Sequence, residues 1–142
     1  MNKFSAAFGA VAVTAAIFGT TAVTATDASA AAAKCTTFGQ YKRAGGYHIN
    51  LPTSKAGDFR CTLRQGADNS GVAQLQSTLR SCYRQKVTVD GIFGAGTRKA
   101  VVNVQKRVGI TADGVYGTAT LNSIRWKHLK SGSFTCRNIN NV

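Results

Sequence analysis

A short phrase occurs twice in the chain at identical spacing. The first copy, Asp90 to Thr97, reads D-G-I-F-G-A-G-T, and the second, Asp113 to Thr120, reads D-G-V-Y-G-T-A-T. Each copy follows an apolar run at helical spacing that contains a glutamine, Gln76 or Gln105. Such a repeat constrains the fold, because both copies must form the same local unit. The predicted unit is a helix, an Asp-Gly turn, an aromatic residue, a glycine and a threonine that opens the next helix.

The residues common to both copies have roles that their chemistry suggests. The glycine after each aspartate should supply a positive φ, and the aspartate should bond back to nearby backbone N–H groups. The aromatic residue should plug the core. The threonine should cap the next helix, or bond back to the turn if that helix starts earlier. These fold-motif residues are Asp90, Gly91, Phe93, Gly94, Thr97, Asp113, Gly114, Tyr116, Gly117 and Thr120.

Apolar spacing predicts three short helices, at about 71–83, 96–108 and 119–130. Gln76 lies beside the apolar stripe of the first. It should satisfy backbone groups of the adjoining loop, because a half-buried amide without partners costs about 1–3 kcal/mol. Trp126 lies off the stripe of the third helix, so we expect it to be partly exposed or packed on the N-terminal segment. The expected fold class is mainly α, a three-helix core with a short irregular or β-like N-terminal extension.

The same residues carry a resemblance to a known family. The order V-x-x-L-Q-x-x-L, D-G-x-F-G-x-x-T, V-x-x-V-Q-x-x-x-G-I and D-G-x-Y-G-x-x-T resembles the peptidoglycan-binding domain-1 family, from Leu63 to about Lys130. The resemblance implies a small three-helix module of the kind usually appended to bacterial wall hydrolases and peptidases. It also implies a peptidoglycan ligand in a groove beside the turns. The chain departs from the family at Ala95 and Thr118, where the family often has proline.

Residues 1–30 have the pattern of a secretory signal peptide. Lys3 supplies the positive start, an apolar run follows, and Ala28 to Ala30 is an A-x-A cleavage site. A membrane anchor is the alternative, but the run is rich in Ala, Gly and Thr and only weakly apolar for a permanent span. We therefore expect cleavage, with Ala31 or Ala33 as the new N-terminus, and a secreted or wall-associated protein with no membrane segment left.

Four cysteines follow the predicted signal peptide: Cys35, Cys61, Cys82 and Cys136. An even number in a secreted chain predicts two disulfides. Zinc ligation is the alternative, but no C-x-x-C or His/Cys spacing supports it. Three connectivities are possible, and we prefer Cys35–Cys61 with Cys82–Cys136. This pairing ties the N-terminal segment to itself and the tail to the first helix.

The chain divides into four predicted segments. They are a signal peptide (1–30), a disulfide-stapled N-terminal extension (31–62), a peptidoglycan-binding-like helical domain (63–130) and a polar tail anchored by Cys136 (131–142). The extension has aromatic residues around Gly45 and Gly46. These rings are either a small sugar-binding platform or a cover for one end of a small helical core. We favour the second interpretation, because the helical core is too small to close itself.

No catalytic or metal motif is found. His48 and His128 lie in no nucleophile or ligand pattern, and the D-x-D-x-D-G ladder of calcium sites is absent. A wall glycosidase needs two carboxyl groups, one with a raised pKa. Asp90 and Asp113 are related by the repeat, but bonding in the turns explains them and favours their charged form. The chain is therefore predicted not to be an enzyme and to need no cofactor or metal.

The composition is strongly basic, with 18 Lys and Arg against 5 Asp and Glu, a formal charge of +13. Such a chain is attracted to an anionic wall. The leading hypothesis is a secreted, non-catalytic peptidoglycan-binding protein, monomeric, with possible contacts to anionic wall polymers and none expected to nucleic acid. The alternatives are a cationic polyanion or nucleic-acid binder and an inhibitor or effector of a wall enzyme. By position near the turns, the expected ligand-binding residues are Ile92, Arg98, Val115 and Asn122.

Overall fold

The computed structural model describes residues 31–140, so the predicted signal peptide (1–30) lies outside the described residues. Three α-helices lie between two pairs of β-strands along this part of the chain. The helices are α1 (Ser70–Tyr83), α2 (Ala95–Val108) and α3 (Thr118–Ser123), and the strands are β1 (Thr37–Lys42), β2 (His48–Thr53), β3 (Arg125–Lys130) and β4 (Ser133–Asn138). The expected mainly α class is therefore wrong, because a four-stranded sheet accompanies the helices.

The sheet is antiparallel throughout, in the order β1-β2-β3-β4. Tyr41 of β1 is opposite Ile49 of β2, and Ile49 is opposite His128 of β3. The pairing of β2 with β3 joins the N-terminal extension to the C-terminal segment. The helical repeat therefore lies between two β-hairpins in the sequence. The predicted segment boundaries at residues 62 and 130 stay a prediction.

The third helix is much shorter than predicted and ends at Ser123. The residues after it alternate in burial, with Trp126 and His128 buried and Arg125 and Lys130 exposed. This alternation fits a strand with one face on the core. Ser131 and Gly132 then have positive φ values of 46° and 78°, which suits a two-residue hairpin turn. The predicted polar tail therefore supplies β4.

Trp126 is fully buried, which excludes partial exposure, the first of the two alternatives. Its Nε1 donates a hydrogen bond to the Leu121 carbonyl at 2.9 Å, and its ring lies edge-on to Tyr116 with centroids 5.9 Å apart. The first β3 residue, Arg125, donates its backbone N–H to the Tyr83 hydroxyl at the end of α1, at 2.6 Å. These contacts fix the sheet to the helical repeat.

Two disulfides are present, as expected from the cysteine count. One joins Cys35 to Cys61 and the other joins Cys82 to Cys136, and none of the four thiols in the described residues is free. The first ties the start of the extension to the segment that precedes α1. The second fixes the last turn of α1 to β4, so it joins the helical repeat to the sheet.

His128 lies in the buried face of the sheet, and its Nε2 has no hydrogen-bond partner among the described residues. Burial lowers the pKa of His128 below its ordinary value of 6.5, the charges of Arg43 and Arg137 add to this effect, and a hydrogen bond with the backbone of Arg137 opposes it. The unfolded chain then binds more protons than the folded chain as the pH falls below 6.5. The free energy of unfolding must therefore fall with pH in that range.

We expect the His128→Gln variant to lose this pH dependence. In the parent protein, the free energy of unfolding should fall by at most about 1.4 kcal/mol per pH unit below pH 6.5. Urea denaturation at pH 7.5, 6.5 and 5.5 measures the slope for parent and variant. His48→Gln is the matched control, since it changes the histidine of the neighbouring strand β2. This assignment would be contradicted if the free energy of unfolding still fell with pH in His128→Gln and no longer did so in His48→Gln.

Candidate functional site

The first copy of the repeat is organised by the side-chain amide of Gln76. Its Nε2 lies 2.9 Å from each of three acceptors, Asp90 Oδ1, the Ile92 carbonyl and Thr97 Oγ1. Its Oε1 accepts hydrogen bonds from the backbone N–H groups of Asp90 at 3.1 Å and Gly91 at 2.9 Å. Gln76 is buried and reaches from α1 into the turn. A single helical side chain therefore satisfies the Asp-Gly turn, as predicted.

The second copy repeats this arrangement with Gln105. Its Nε2 lies 2.9 Å from Asp113 Oδ1, 2.9 Å from the Val115 carbonyl and 3.1 Å from Thr120 Oγ1. Its Oε1 accepts from the Gly114 N–H at 2.9 Å. The glycines of the two turns have φ values of 81° and 74°, which only glycine adopts without strain. The sequence repeat is therefore also a repeat of hydrogen bonds.

The two threonines bond back to the turns, which decides between the alternatives left by the sequence. Helices α2 and α3 begin at Ala95 and Thr118, earlier than a threonine cap would allow, with Gly94 and Gly117 at the caps. The hydroxyl of Thr97 donates to the Ile92 carbonyl at 3.3 Å. Thr120 does the same to Val115 at 3.4 Å.

The aspartates of the turns accept backbone hydrogen bonds. Asp90 Oδ1 accepts from the Ile92 N–H and Asp113 Oδ1 from the Val115 N–H, both at 2.9 Å. The bond from Ile92, and then that from the Gln76 amide, lower the pKa of Asp90 below its ordinary value of 3.8. Asp90 is therefore held in its charged form, which is opposite to what a proton-donating acid needs.

The aromatic residues of the two copies are both fully buried. Each is also fixed by its backbone to the segment before α1. Phe93 exchanges hydrogen bonds with Gly66 and Ala67 at 2.9 and 2.8 Å, and Tyr116 with Leu63 at 2.9 and 3.0 Å. Burial raises the pKa of Tyr116, and its hydroxyl has no partner among the described residues. These rings are parts of the core and leave no surface for a ligand.

A groove lies beside each turn, and the two grooves are related by the repeat. The first groove, beside the Asp90 turn, has a volume of about 210 Å³, and the second groove, beside the Asp113 turn, about 560 Å³. In both, the repeated Gln, Asp, apolar, Gly and Thr positions line the wall. Lys86, Val87 and Thr88 also line the first groove, and the equivalent residues of the second copy, Gly109, Ile110 and Thr111, line the second.

The structure does not bring the four expected ligand-binding residues to one place. Ile92, which is 52% exposed, lines the first groove, and Val115 lines the second. The Arg98 side chain lies over Gly114, and its Nη2 donates to the Asp113 carbonyl at 3.3 Å. Asn122 lines neither groove but a separate cleft against the sheet. A ligand role for these residues stays a prediction.

Sequence reasoning missed several groove residues. Gly109, Ile110 and Thr111 line the second groove, as does Thr62 from the extension. Gly109 directly follows the predicted end of the second helix at residue 108, and its φ of 75° suits a residue that ends a helix. The turn after the end of a helix can border a groove, so the place of residues 109–111 beside the second groove could have been predicted from the helix end. No local signal brings Thr62 there, because it comes from a distant part of the chain.

Within residues 31–140, no group of three or more His, Cys, Asp or Glu side chains is placed to hold a metal ion. No helix in this part of the chain is both long and apolar enough to cross a membrane.

The geometry defines a class of domain, a two-copy repeat in which a buried helical glutamine holds an Asp-Gly turn beside a groove. Residues 68–124 match the model of the family described as "Putative peptidoglycan binding domain". This segment of the chain belongs to the family. The match includes α1, α2 and α3 with both turns, and leaves out all four strands.

Two solved structures are similar to parts of the chain. One is the crystal structure of the SleB N-terminal domain, at 36% identity over 43% of this chain and 84% of that chain, with a TM-score of 0.41. The other is a peptidoglycan-binding protein from Clostridioides difficile in complex with glutamine hydroxamate. It is 27% identical over 58% of this chain and 53% of that chain, with a TM-score of 0.44. No curated protein matches the chain.

Proposed function

We propose that this chain is a secreted, non-catalytic protein that binds the peptidoglycan of the bacterial cell wall through the second groove. The observation that supports this function is the membership of residues 68–124 in the peptidoglycan-binding family, together with the larger of two repeat-related grooves inside that segment. The volume of about 560 Å³ lies in the usual range for ligand sites.

The lining of the second groove suits a ligand with neutral sugar or peptide groups. It offers the Thr111 and Thr118 side chains and the apolar surface of Val115 and Ile110. Its only acid is Asp113, whose Oδ1 already accepts from the Val115 N–H and the Gln105 amide. Because these bonds fix the turn before a ligand arrives, binding would cost little ordering of the protein.

A binding role without catalysis agrees with the chemistry of the acids. After residue 30 the sequence has only four acidic residues, Asp58, Asp68, Asp90 and Asp113. Hydrolysis of a glycosidic bond needs a carboxylic acid with a raised pKa. The pKa of Asp90 is lowered instead, and Asp113 Oδ1 is occupied by hydrogen bonds from the Val115 N–H and the Gln105 amide. Secretion is supported by the pattern of residues 1–30 and by two disulfides, which persist in oxidising compartments.

We expect the protein to pellet with purified sacculi that lack teichoic acid, and to be released only in part by moderate salt. Contacts to neutral groups use hydrogen bonds and apolar surface, whereas a polyanion binder loses about a thousandfold in affinity between 50 and 200 mM salt through counterion release. Pelleting over a salt series measures this, with DNA and heparin as competitors. Complete release by 200 mM salt with equal affinity for heparin would favour the polyanion alternative. Clearing of the sacculi would make the protein an enzyme.

The repeat supplies a matched pair of variants for this test. Val115→Gln changes the second groove and Ile92→Gln changes the equivalent position in the first. We expect Val115→Gln to weaken binding to sacculi about tenfold, or about 1.4 kcal/mol, and Ile92→Gln to have a smaller effect. Circular dichroism checks that both variants fold. Unchanged binding by Val115→Gln, or equal losses in the two variants, would contradict the assignment to the second groove.

A further inference from the structure

A third depression, which we call the sheet cleft, lies where α3 meets β1 and β2. Its volume is about 410 Å³, and it is lined by residues of both strands, of the loop 58–60, of α3 and of residues 139–140. Only Leu121 and Asn122 of this lining fall within the family-matched segment. The sheet cleft therefore belongs mainly to the parts of this chain that the family match does not include.

One wall of the sheet cleft is aromatic. The rings of Tyr41 and Phe59 pack edge-to-face, with centroids 5.8 Å apart and planes at 81°. Phe59 is half-buried against the core, whereas Tyr41 remains 42% exposed. Covering the core therefore accounts for the position of Phe59, but it does not account for the exposed ring of Tyr41. An exposed ring held in place by a second ring is a preformed surface for the C–H face of a sugar.

The sheet cleft also has an excess of positive charge. The Arg43 guanidinium lies 5.3 Å from the centroid of the Tyr41 ring, and its Nη2 donates to the Ile139 carbonyl at 2.5 Å. Arg60 is exposed, and its backbone N–H bonds to Asp58 Oδ1 at 2.8 Å. Two guanidinium groups against one carboxylate leave one net positive charge. A guanidinium group matches a carboxylate through paired, parallel N–H donors.

We propose that the sheet cleft is a second binding site, specific for a sugar ring that carries a carboxylate. The Tyr41 ring would stack on the sugar, and the guanidinium groups of Arg43 and Arg60 would hold its carboxylate. The exposed Asn122 side chain, with amide donors and an acceptor, would bond ring hydroxyls. A neutral sugar would leave the positive charge unmatched, and a small inorganic anion would not use the Tyr41 surface. The residues of this site differ from those of the second groove, so the two proposals are independent.

Two sources could supply such a ring, an amino sugar of the wall or a uronic acid polymer. Titration of the purified protein, followed by calorimetry and by NMR shifts, should use N-acetylmuramic acid and glucuronic acid as the acidic probes. N-acetylglucosamine and glucose are their counterparts without the carboxylate, and acetate is the carboxylate without a ring. We expect at least one acidic sugar to bind at least tenfold more tightly than its neutral counterpart and than acetate. The acid that binds more tightly identifies the source.

Variants locate the binding within the molecule. Tyr41→Ala and Arg60→Gln change exposed side chains and should each weaken acidic-sugar binding at least fivefold. Phe134→Ala is the matched aromatic control, because this ring is 49% exposed on β4 and does not line the sheet cleft. Equal affinity for acidic and neutral sugars, no detectable binding of either acid, or an equal loss in Phe134→Ala would overturn this site. Pelleting of Val115→Gln with sacculi is a separate measurement. A negative result for the sheet cleft therefore does not bear on the proposal for the second groove.

Discussion

Replacing Phe93 with alanine should lower the free energy of unfolding by about 3–5 kcal/mol, the usual cost of removing a buried aromatic ring. The ring is fully buried in the core cluster, and the backbone of Phe93 is hydrogen-bonded to Gly66 and Ala67 in the segment before α1. These bonds hold the two segments that meet at the ring, so the surrounding structure cannot close the cavity freely. Urea denaturation, with the midpoint and slope compared between parent and variant, measures the loss.

Phe134→Ala is the control for this change, since its ring is largely exposed and its removal should cost no more than about 0.5 kcal/mol. We also expect the fraction of Phe93→Ala that stays folded to pellet with sacculi almost as the parent does. A Phe93→Ala protein that is well folded but no longer binds would mean that the ring is part of the ligand site and not of the core.

The second large effect is expected from Gln76→Glu, which keeps the shape of the side chain but changes its hydrogen bonding. The Nε2 atom faces three oxygen acceptors at 2.9 Å, one of them on the Asp90 carboxylate. A carboxylate oxygen in its place would face the Ile92 carbonyl and a second negative charge, and only the Thr97 hydroxyl could turn to donate to it. The free energy of unfolding should fall by about 3–5 kcal/mol, as for a buried charge without a partner.

Gln74→Glu is the matched control, because Gln74 lies on the same helix and is only partly buried. Its effect should stay within about 0.5 kcal/mol. Gln105→Glu should be as destabilising as Gln76→Glu, since the second turn has the same three acceptors. Thermal unfolding of all three variants at pH 7 compares them. A Gln76→Glu protein as stable as Gln74→Glu would show that the amide is not needed to hold the turn.

The repeat could be predicted because its signals are local. Helices α1 and α2 lie within a residue or so of their predicted bounds, and Gln76 bonds to the adjoining turn as expected. Each of these features depends on residues close together in the sequence. The buried glutamine, the glycine with positive φ and the apolar stripe all agree on one local structure, so a single sequence is enough to find them.

The sheet was missed because its central pairing is not local. Strands β2 and β3 lie on opposite sides of the helical repeat in the sequence, and nothing in either strand identifies the other as its partner. The spacing of Leu121, Ile124 and His128 also fits a helix, so the end of α3 could not be seen from the apolar pattern. The pair Ser131 and Gly132 is a local hairpin signal between β3 and β4.

The candidate site could be predicted only where its residues belong to the repeat. Ile92 and Val115 follow the aspartates of the turns, so their place beside the grooves could be expected from the repeat. The second groove is also lined by Thr62, which comes from the extension and could not be placed there from the repeat. Asn122 was expected near the turns, but α3 ends at Ser123 and the chain then enters the sheet, so the residue faces the sheet cleft.

The two disulfides join cysteines that are consecutive along the chain, Cys35 with Cys61 and then Cys82 with Cys136. In a chain that is exported with its N-terminus first, Cys61 emerges when Cys35 is the only other cysteine outside. The first bond can then close before Cys82 is present to compete, and Cys136 later meets a single remaining thiol. Oxidation in the order of export therefore gives the native pairing without reshuffling, whereas refolding of the fully reduced chain must select it from three alternatives.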